Sequence, residues 1–214
     1  MRHWLRTLAA CLGLGLALTV PATAQTTDAP PIPQTTEAPP ALSDTELLAQ
    51  LRAGGLVVYF RHTATDFSRD DRAMRDYDDC AHQRLLSAKG RADARAIGLQ
   101  WKRLKLPVGR VLASPYCRTR DVAQRMFGRY ERSPEVRGGP ADAGAERYAG
   151  LRQLLSTPVT VRTNLIISSH GNPYHAVAGP PYMAEGEAAV IRPLGDGRWQ
   201  VLARVPGADW ARLK

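Results

Sequence analysis

Leu56-Val57-Val58-Tyr59-Phe60-Arg61-His62-Thr63 is the stretch from which the fold is read. Its five uncharged apolar or aromatic residues follow Gly54-Gly55. The run is too short for a helix and suits a strand buried on both faces of a parallel sheet. An Arg-His pair ends it. Ligands of open α/β sheets sit just outside the carboxyl ends of the strands, so Arg61 and His62 stand where a site is built. On its own the pair fits the start of a solvated loop equally well.

The chain then repeats the arrangement. Asn164-Leu165-Ile166-Ile167-Ser168-Ser169 is a second short apolar strand, and it runs into His170-Gly171-Asn172. Between the two lies Arg110-Val111-Leu112-Ala113-Ser114, a third strand candidate, followed by Pro115-Tyr116-Cys117-Arg118-Thr119-Arg120-Asp121-Val122-Ala123, which opens a helix.

These three motifs, in this order and each after a strand, resemble the histidine phosphatase superfamily, the phosphoglycerate mutase-like proteins. The resemblance runs from about Gly55 to Val205. It implies that His62 takes a phosphoryl group and that Arg61, Arg118 and His170 surround its oxygens. The family's glycine after the first Arg-His is Thr63 here, whose hydroxyl offers a further donor to a phosphate oxygen. Val122 replaces the threonine common before the alanine of the helix motif.

The residue types carry the chemistry. Guanidinium forks suit phosphate oxygens, and the amino end of the Arg118 helix adds its dipole. A neutral His62 attacks through one ring nitrogen if a carbonyl holds the other as N–H. His170, if protonated, binds an equatorial oxygen, and water then releases phosphate from the phosphohistidine. The acid that protonates the leaving alcohol is open between Glu187, Glu146 and Asp66, with Glu187 preferred. The competing reading of each is a solvated carboxylate.

Residues 1–24 read as a secretory signal peptide: Arg2, His3 and Arg6, an apolar run Leu8–Val20, and Ala22-Thr23-Ala24 before a cleavage expected after Ala24. The run is short for a spanning helix, so no stable membrane insertion is expected after cleavage. Residues 25–42, rich in Pro, Thr and Ala, read as a disordered linker, and residues 43–214 as one domain. Losing Arg2 and Arg6 takes the formal charge from +9 to +7, which favours anionic ligands. The arginines are dispersed and form no stripe with aromatics, so nucleic acid is not an expected partner.

Ser43-Asp44-Thr45-Glu46 has capping-box spacing and starts a helix that Gly54 stops. Residues 66–83 form a polar segment that fits a lid or a surface loop. Its aspartates lack EF-hand spacing, so no metal is expected, and no cofactor. A helix follows from Leu86-Ser87 to about Leu104. Only Cys80 and Cys117 remain after signal removal, and an oxidising compartment makes a disulfide between them plausible. Residues 129–141 read as loop and 141–155 as helix. Glu185–Arg192, Gly195-Asp196-Gly197 and Arg198–Arg204 read as a closing hairpin.

Strands alternating with helices, plus this hairpin, predict a three-layer α/β/α sandwich with a mostly parallel central sheet, phosphoglycerate mutase-like. The expected function is metal-independent hydrolysis of a small phosphorylated substrate in the periplasm or outside the cell. The alternatives are a phosphoglycerate mutase-like phosphotransferase and a non-catalytic anion-binding module. Substrate identity and oligomeric state are not encoded in any motif.

Overall fold

The computed structural model describes residues 42–139, 145–160 and 162–214. The expected signal peptide and all of the linker but Leu42 lie outside them. No helix among the described residues is long and apolar enough to cross a membrane.

The chain enters through helix α1 (Asp44–Ala53), whose capping box is complete: Ser43 and Glu46 each satisfy the other's backbone N–H, and Gly54 ends the helix. It delivers the chain to strand β1 (Val57–Arg61), where four residues are buried. The remaining strands are β2 (Val108–Ala113), β3 (Glu131–Arg132), β4 (Asn164–Ser169), β5 (Ala188–Gly195) and β6 (Arg198–Val205). Among the described residues these six form one sheet, in the order β3-β2-β4-β1-β5-β6. β1, β2, β3 and β4 run parallel, while β5 pairs antiparallel with both β1 and β6.

Period-two alternation on β1 feeds two cores. Val58 and Phe60 point to a layer holding α1, helix α2 (Ala88–Arg103) and helix α3 (Cys117–Phe127). Val57 and Tyr59 point to the other layer, with helix α4 (Ala149–Ser156) and helix α5 (Gly171–Ala178). Both faces of the central strands are therefore covered, which explains why Val57–Phe60 of β1 and Leu165–Ile167 of β4 run without polar gaps. Each buried residue of Leu or Phe size contributes about 1.5–3 kcal/mol to holding the layers together.

Three boundaries differ from expectation. The loop at 129–141 contains the two-residue strand β3 and a 3-10 turn at Pro134–Val136. So short an edge strand borrows its regularity from β2 and has no sequence period of its own. Of the helix expected over 141–155, residues 141–144 lie outside the described residues, and the rest is a 3-10 turn, Ala145–Tyr148, followed by α4. β5 begins at Ala188, leaving Glu185 and Glu187 in the turn before it.

Candidate active site

β1 and β4 end side by side, with Arg61 registered against Ser169. The next residues, His62 and His170, therefore emerge together at the carboxyl edge of the sheet. The His62 N–H donates to Ser169 O at 2.9 Å, and His62 O accepts from the Gly186 N–H at 3.0 Å. Tyr59 on β1 donates its hydroxyl to His170 O at 2.7 Å. Sheet register thus fixes both histidines, whose rings stand edge-to-face with centroids 5.5 Å apart.

The loop after His62 lies against the first turn of α2. Thr63 Oγ1 donates to Gly90 O at 2.8 Å, and the Ser87 N–H donates to Ala64 O at 3.0 Å. A Cβ at Gly90 would come within 1.9 Å of Ala64 O, so only glycine permits this approach. The approach holds Thr63 O 3.0 Å from His62 Nδ1. Nδ1 then carries the proton as donor to that carbonyl, and Nε2 keeps its lone pair. Burial first, then the Arg118 charge, push the His62 pKa down to about 3, so the ring is neutral at pH 7.

A cavity of about 440 Å³ opens over these rings. Arg61, His62, Arg118 and His170 line it together with Asp71, Arg84, Tyr116, Asn172 and Tyr182. Arg118 comes from the first turn of α3, and its residue is 5% exposed. Its Nη1 lies 3.1 Å from each carboxylate oxygen of Asp71 and also donates to Arg84 O at 3.3 Å. Arg61 is held by donation from Nη1 to Met183 O at 2.6 Å. Each guanidinium stacks on a ring: Arg61 on Tyr182, Arg84 on Phe67 and Arg118 on Tyr116. All three keep a buried Nε–H without a hydrogen-bond partner. Arg120 shares that last feature away from the cavity, so the distinguishing fact is convergence on one cavity with two histidines.

His62, His170, Arg61 and Arg118 are brought together as expected. Two expectations change, and the condition set on His170 is not met in the free site. Thr63 is 1% exposed, and its hydroxyl proton goes to Gly90, so it braces α2 and offers no donor to the cavity. Glu187 turns away: Arg204 donates from Nε to its Oε1 at 2.6 Å, and the Ala184 N–H donates to its Oε2 at 2.6 Å. His170 is neutral in the free site, because burial and then the Arg118 charge hold its pKa well below the ordinary value. Ser114 Oγ stands 2.8 Å from His170 Nε2. Among the other acids considered, Glu146 lies exposed on its 3-10 turn, and Asp66 accepts from the N–H and hydroxyl of Ser68. Glu185 stands behind the nucleophile, with Oε1 3.9 Å from His62 Nδ1 and accepting from Thr65 Oγ1 at 3.0 Å.

Sequence reasoning missed Asp71, Arg84, Ser114, Tyr116 and Tyr182. Asp71 and Arg84 belong to the segment after His62, which reaches the cavity because a disulfide joins Cys80 to Cys117, the residue before Arg118. The cysteine pair was the available signal for this. Gln83 reinforces the tie by accepting from the Cys117 N–H at 2.9 Å. Among the described residues no group of three His, Cys, Asp or Glu side chains is placed to hold a metal ion.

No family model matches this chain, and no curated protein matches it in sequence. Solved structures do. The protein histidine phosphatase SixA complexed with tungstate matches at 21% identity and TM-score 0.52, covering 72% of this chain and 98% of that one. A mycobacterial glucosyl-3-phosphoglycerate phosphatase with inorganic phosphate matches at 14% identity and TM-score 0.51, covering 69% and 95%. With its two histidines at the ends of neighbouring parallel strands, the chain has the histidine phosphatase, or phosphoglycerate mutase-like, fold.

Proposed function

We propose that this protein is a phosphomonoester hydrolase that works through a phosphohistidine on His62, without a metal ion, on a small phosphorylated substrate in the cell envelope. The observation that carries the reading is the cavity itself, in which a neutral buried histidine meets three arginines with unpartnered Nε–H groups. With both histidines neutral, three guanidiniums and the Asp71 carboxylate leave two net positive charges lining the cavity, the complement of a phosphate dianion. The solved structures of the same fold support the reading, since two are phosphatases that hold tungstate or phosphate.

Phosphoryl transfer needs positioning and charge stabilisation more than covalent assistance. The arginine forks take the phosphate oxygens, which places phosphorus in front of His62 Nε2. The Thr63 carbonyl stabilises the positive charge that grows on the ring as the N–P bond forms. The two charges of the bound phosphate favour a proton on His170, giving it the oxygen-binding role it lacks in the free site. Water then attacks phosphorus and returns the imidazole. An envelope location is supported by the charged and apolar pattern of residues 1–24 and by the Cys80–Cys117 disulfide, a bond suited to oxidising compartments.

The test is phosphate release from a panel of phosphomonoesters with chelator present, for wild type beside His62→Ala. Chelator-resistant turnover is expected, falling by about four orders of magnitude or more in the variant, with acid-labile phosphate trapped on wild type alone. Turnover retained by His62→Ala would overturn the histidine mechanism. Phosphate binding without turnover of any ester would assign the cavity to an anion-binding module.

A further inference from the structure

The proposed function leaves one step without a residue. When His62 displaces the alcohol, the departing oxygen needs a proton. We infer that Asp71 supplies it; this rests on the phosphohistidine reading above.

Attack in line places the leaving oxygen on the side of phosphorus opposite Nε2 of His62. His62 forms the floor of the cavity, 2% exposed, so the leaving group points to the mouth. Asp71 is the carboxylate there: the Asp71 side chain is 28% exposed and, among the described residues, is the one acid lining the cavity. It is also one guanidinium away from the phosphate position, since both its oxygens lie 3.1 Å from Arg118 Nη1. The competing acids are excluded by place. Glu187 is committed to Arg204 and Ala184, and Glu185 sits on the Nδ1 side of His62, behind the attacking atom.

Asp71 is faced by Arg118, by the Arg84 N–H that donates to Oδ1 at 2.9 Å, and by the Tyr116 ring stacked on Arg118. A phosphate dianion that takes over the Arg118 fork leaves Asp71 beside like charge, an arrangement that favours sharing a proton between them. As the Nε2–P bond forms and the P–O bond breaks, that proton passes from Asp71 to the alkoxide, which leaves as the alcohol. Water then attacks the phosphohistidine, gives its proton to the Asp71 carboxylate and leaves phosphate.

The experiment measures kcat for wild type, Asp71→Asn and Asp71→Glu on p-nitrophenyl, phenyl and alkyl phosphates. A proton donor matters more as the leaving oxygen becomes more basic. The expected loss in Asp71→Asn grows along the series, from about tenfold on the nitrophenyl ester to about a thousandfold on the alkyl ester. Asp71→Glu, which keeps a transferable proton, is expected to recover part of the alkyl-ester rate. An equal loss on all three esters would reduce Asp71 to a brace for Arg118 and overturn the proposal. So would no loss at all. Either result leaves the His62 mechanism standing, because that mechanism is read from the loss of turnover in His62→Ala. A wild type that releases no phosphate from any ester overturns both.

Discussion

The floor and the mouth of the cavity are held by different physics. The floor is made by sheet register: His62 and His170 are the residues after two paired strands, and Ser169 O, Gly186 N and the Tyr59 hydroxyl pin their backbones. The mouth is made by an irregular segment, residues 66–86, whose one ladder contact is an isolated bridge between Thr65 and Leu86. Its hold comes from the Cys80–Cys117 disulfide, from Asp71 on Arg118 and from Asp78 between Arg120 and Arg132. The nucleophile therefore cannot move without disturbing the central strands, whereas the mouth can loosen while the sheet stands. Reaction chemistry sits on the rigid part, and control of the leaving group sits on the stapled part.

Arg118 belongs to both regions, so altering it gives a larger effect than loosening the mouth alone. Lysine at this position keeps the charge but loses the planar fork and the grip on Asp71. Arg118→Lys is expected to lower kcat/KM by about 10²–10³-fold in steady-state assays, the usual cost of removing one oxyanion donor. A loss below about tenfold would mean that Arg61 and Arg84 hold the phosphate by themselves.

The staple comes next. It closes a loop with a sequence separation of 37, for which the chain-entropy picture gives about 4 kcal/mol of stabilisation. The Cys80→Ser/Cys117→Ser protein is expected to lose about 2–4 kcal/mol in denaturant unfolding. Its KM is expected to rise because Arg84 loosens, and its kcat to fall most on the alkyl ester because Asp71 loosens with it, while His62 keeps its strand. A proportional fall in kcat with KM unchanged would erase the distinction between floor and mouth.

The same distinction decides what was legible in the sequence. Strand ends followed by Arg-His and His-Gly are local signals, so β1, β4 and the floor residues Arg61, His62 and His170 were found. Arg118 was found because it opens a helix directly after a strand. Thr63 and Glu187 were misassigned for a reason of direction. Sequence places a residue near a site but does not aim its side chain, and here the Gly90 carbonyl and Arg204 drew those two away. Asp71 and Arg84 were invisible as site residues because nothing periodic governs residues 66–86. Long-range ties bring them in, the Cys80–Cys117 bond and the ion pairs of Asp71 and Asp78, and the pairing of two cysteines names the partners without naming what else moves with them. The edge strand β3 was lost because two residues carry no period.

The pH dependence of stability separates the two regions most finely. At the floor, His62 is held at about 3 and His170 well below its ordinary value of 6.5. Between those values and about 6.5 the unfolded chain binds protons that the folded chain does not, so stability falls as pH falls. The slope approaches about 1.4 kcal/mol per pH unit for each histidine. At the mouth the sign is the same but the window is lower. Hydrogen bonds from Arg132 to Asp78 and from His82 to Asp79 lower both carboxylates, Asp79 to about 2, so their pairing is lost only as pH falls below the ordinary 3.8. Melting curves from about pH 7 to about pH 5, above the carboxylate range, should therefore report the floor. His62→Gln removes one titrating ring and is expected to shallow the slope by up to half. Added phosphate, whose charges favour protonated histidine, is expected to shallow it further in wild type. A slope unchanged by both would mean that the two rings do not share a buried cationic floor.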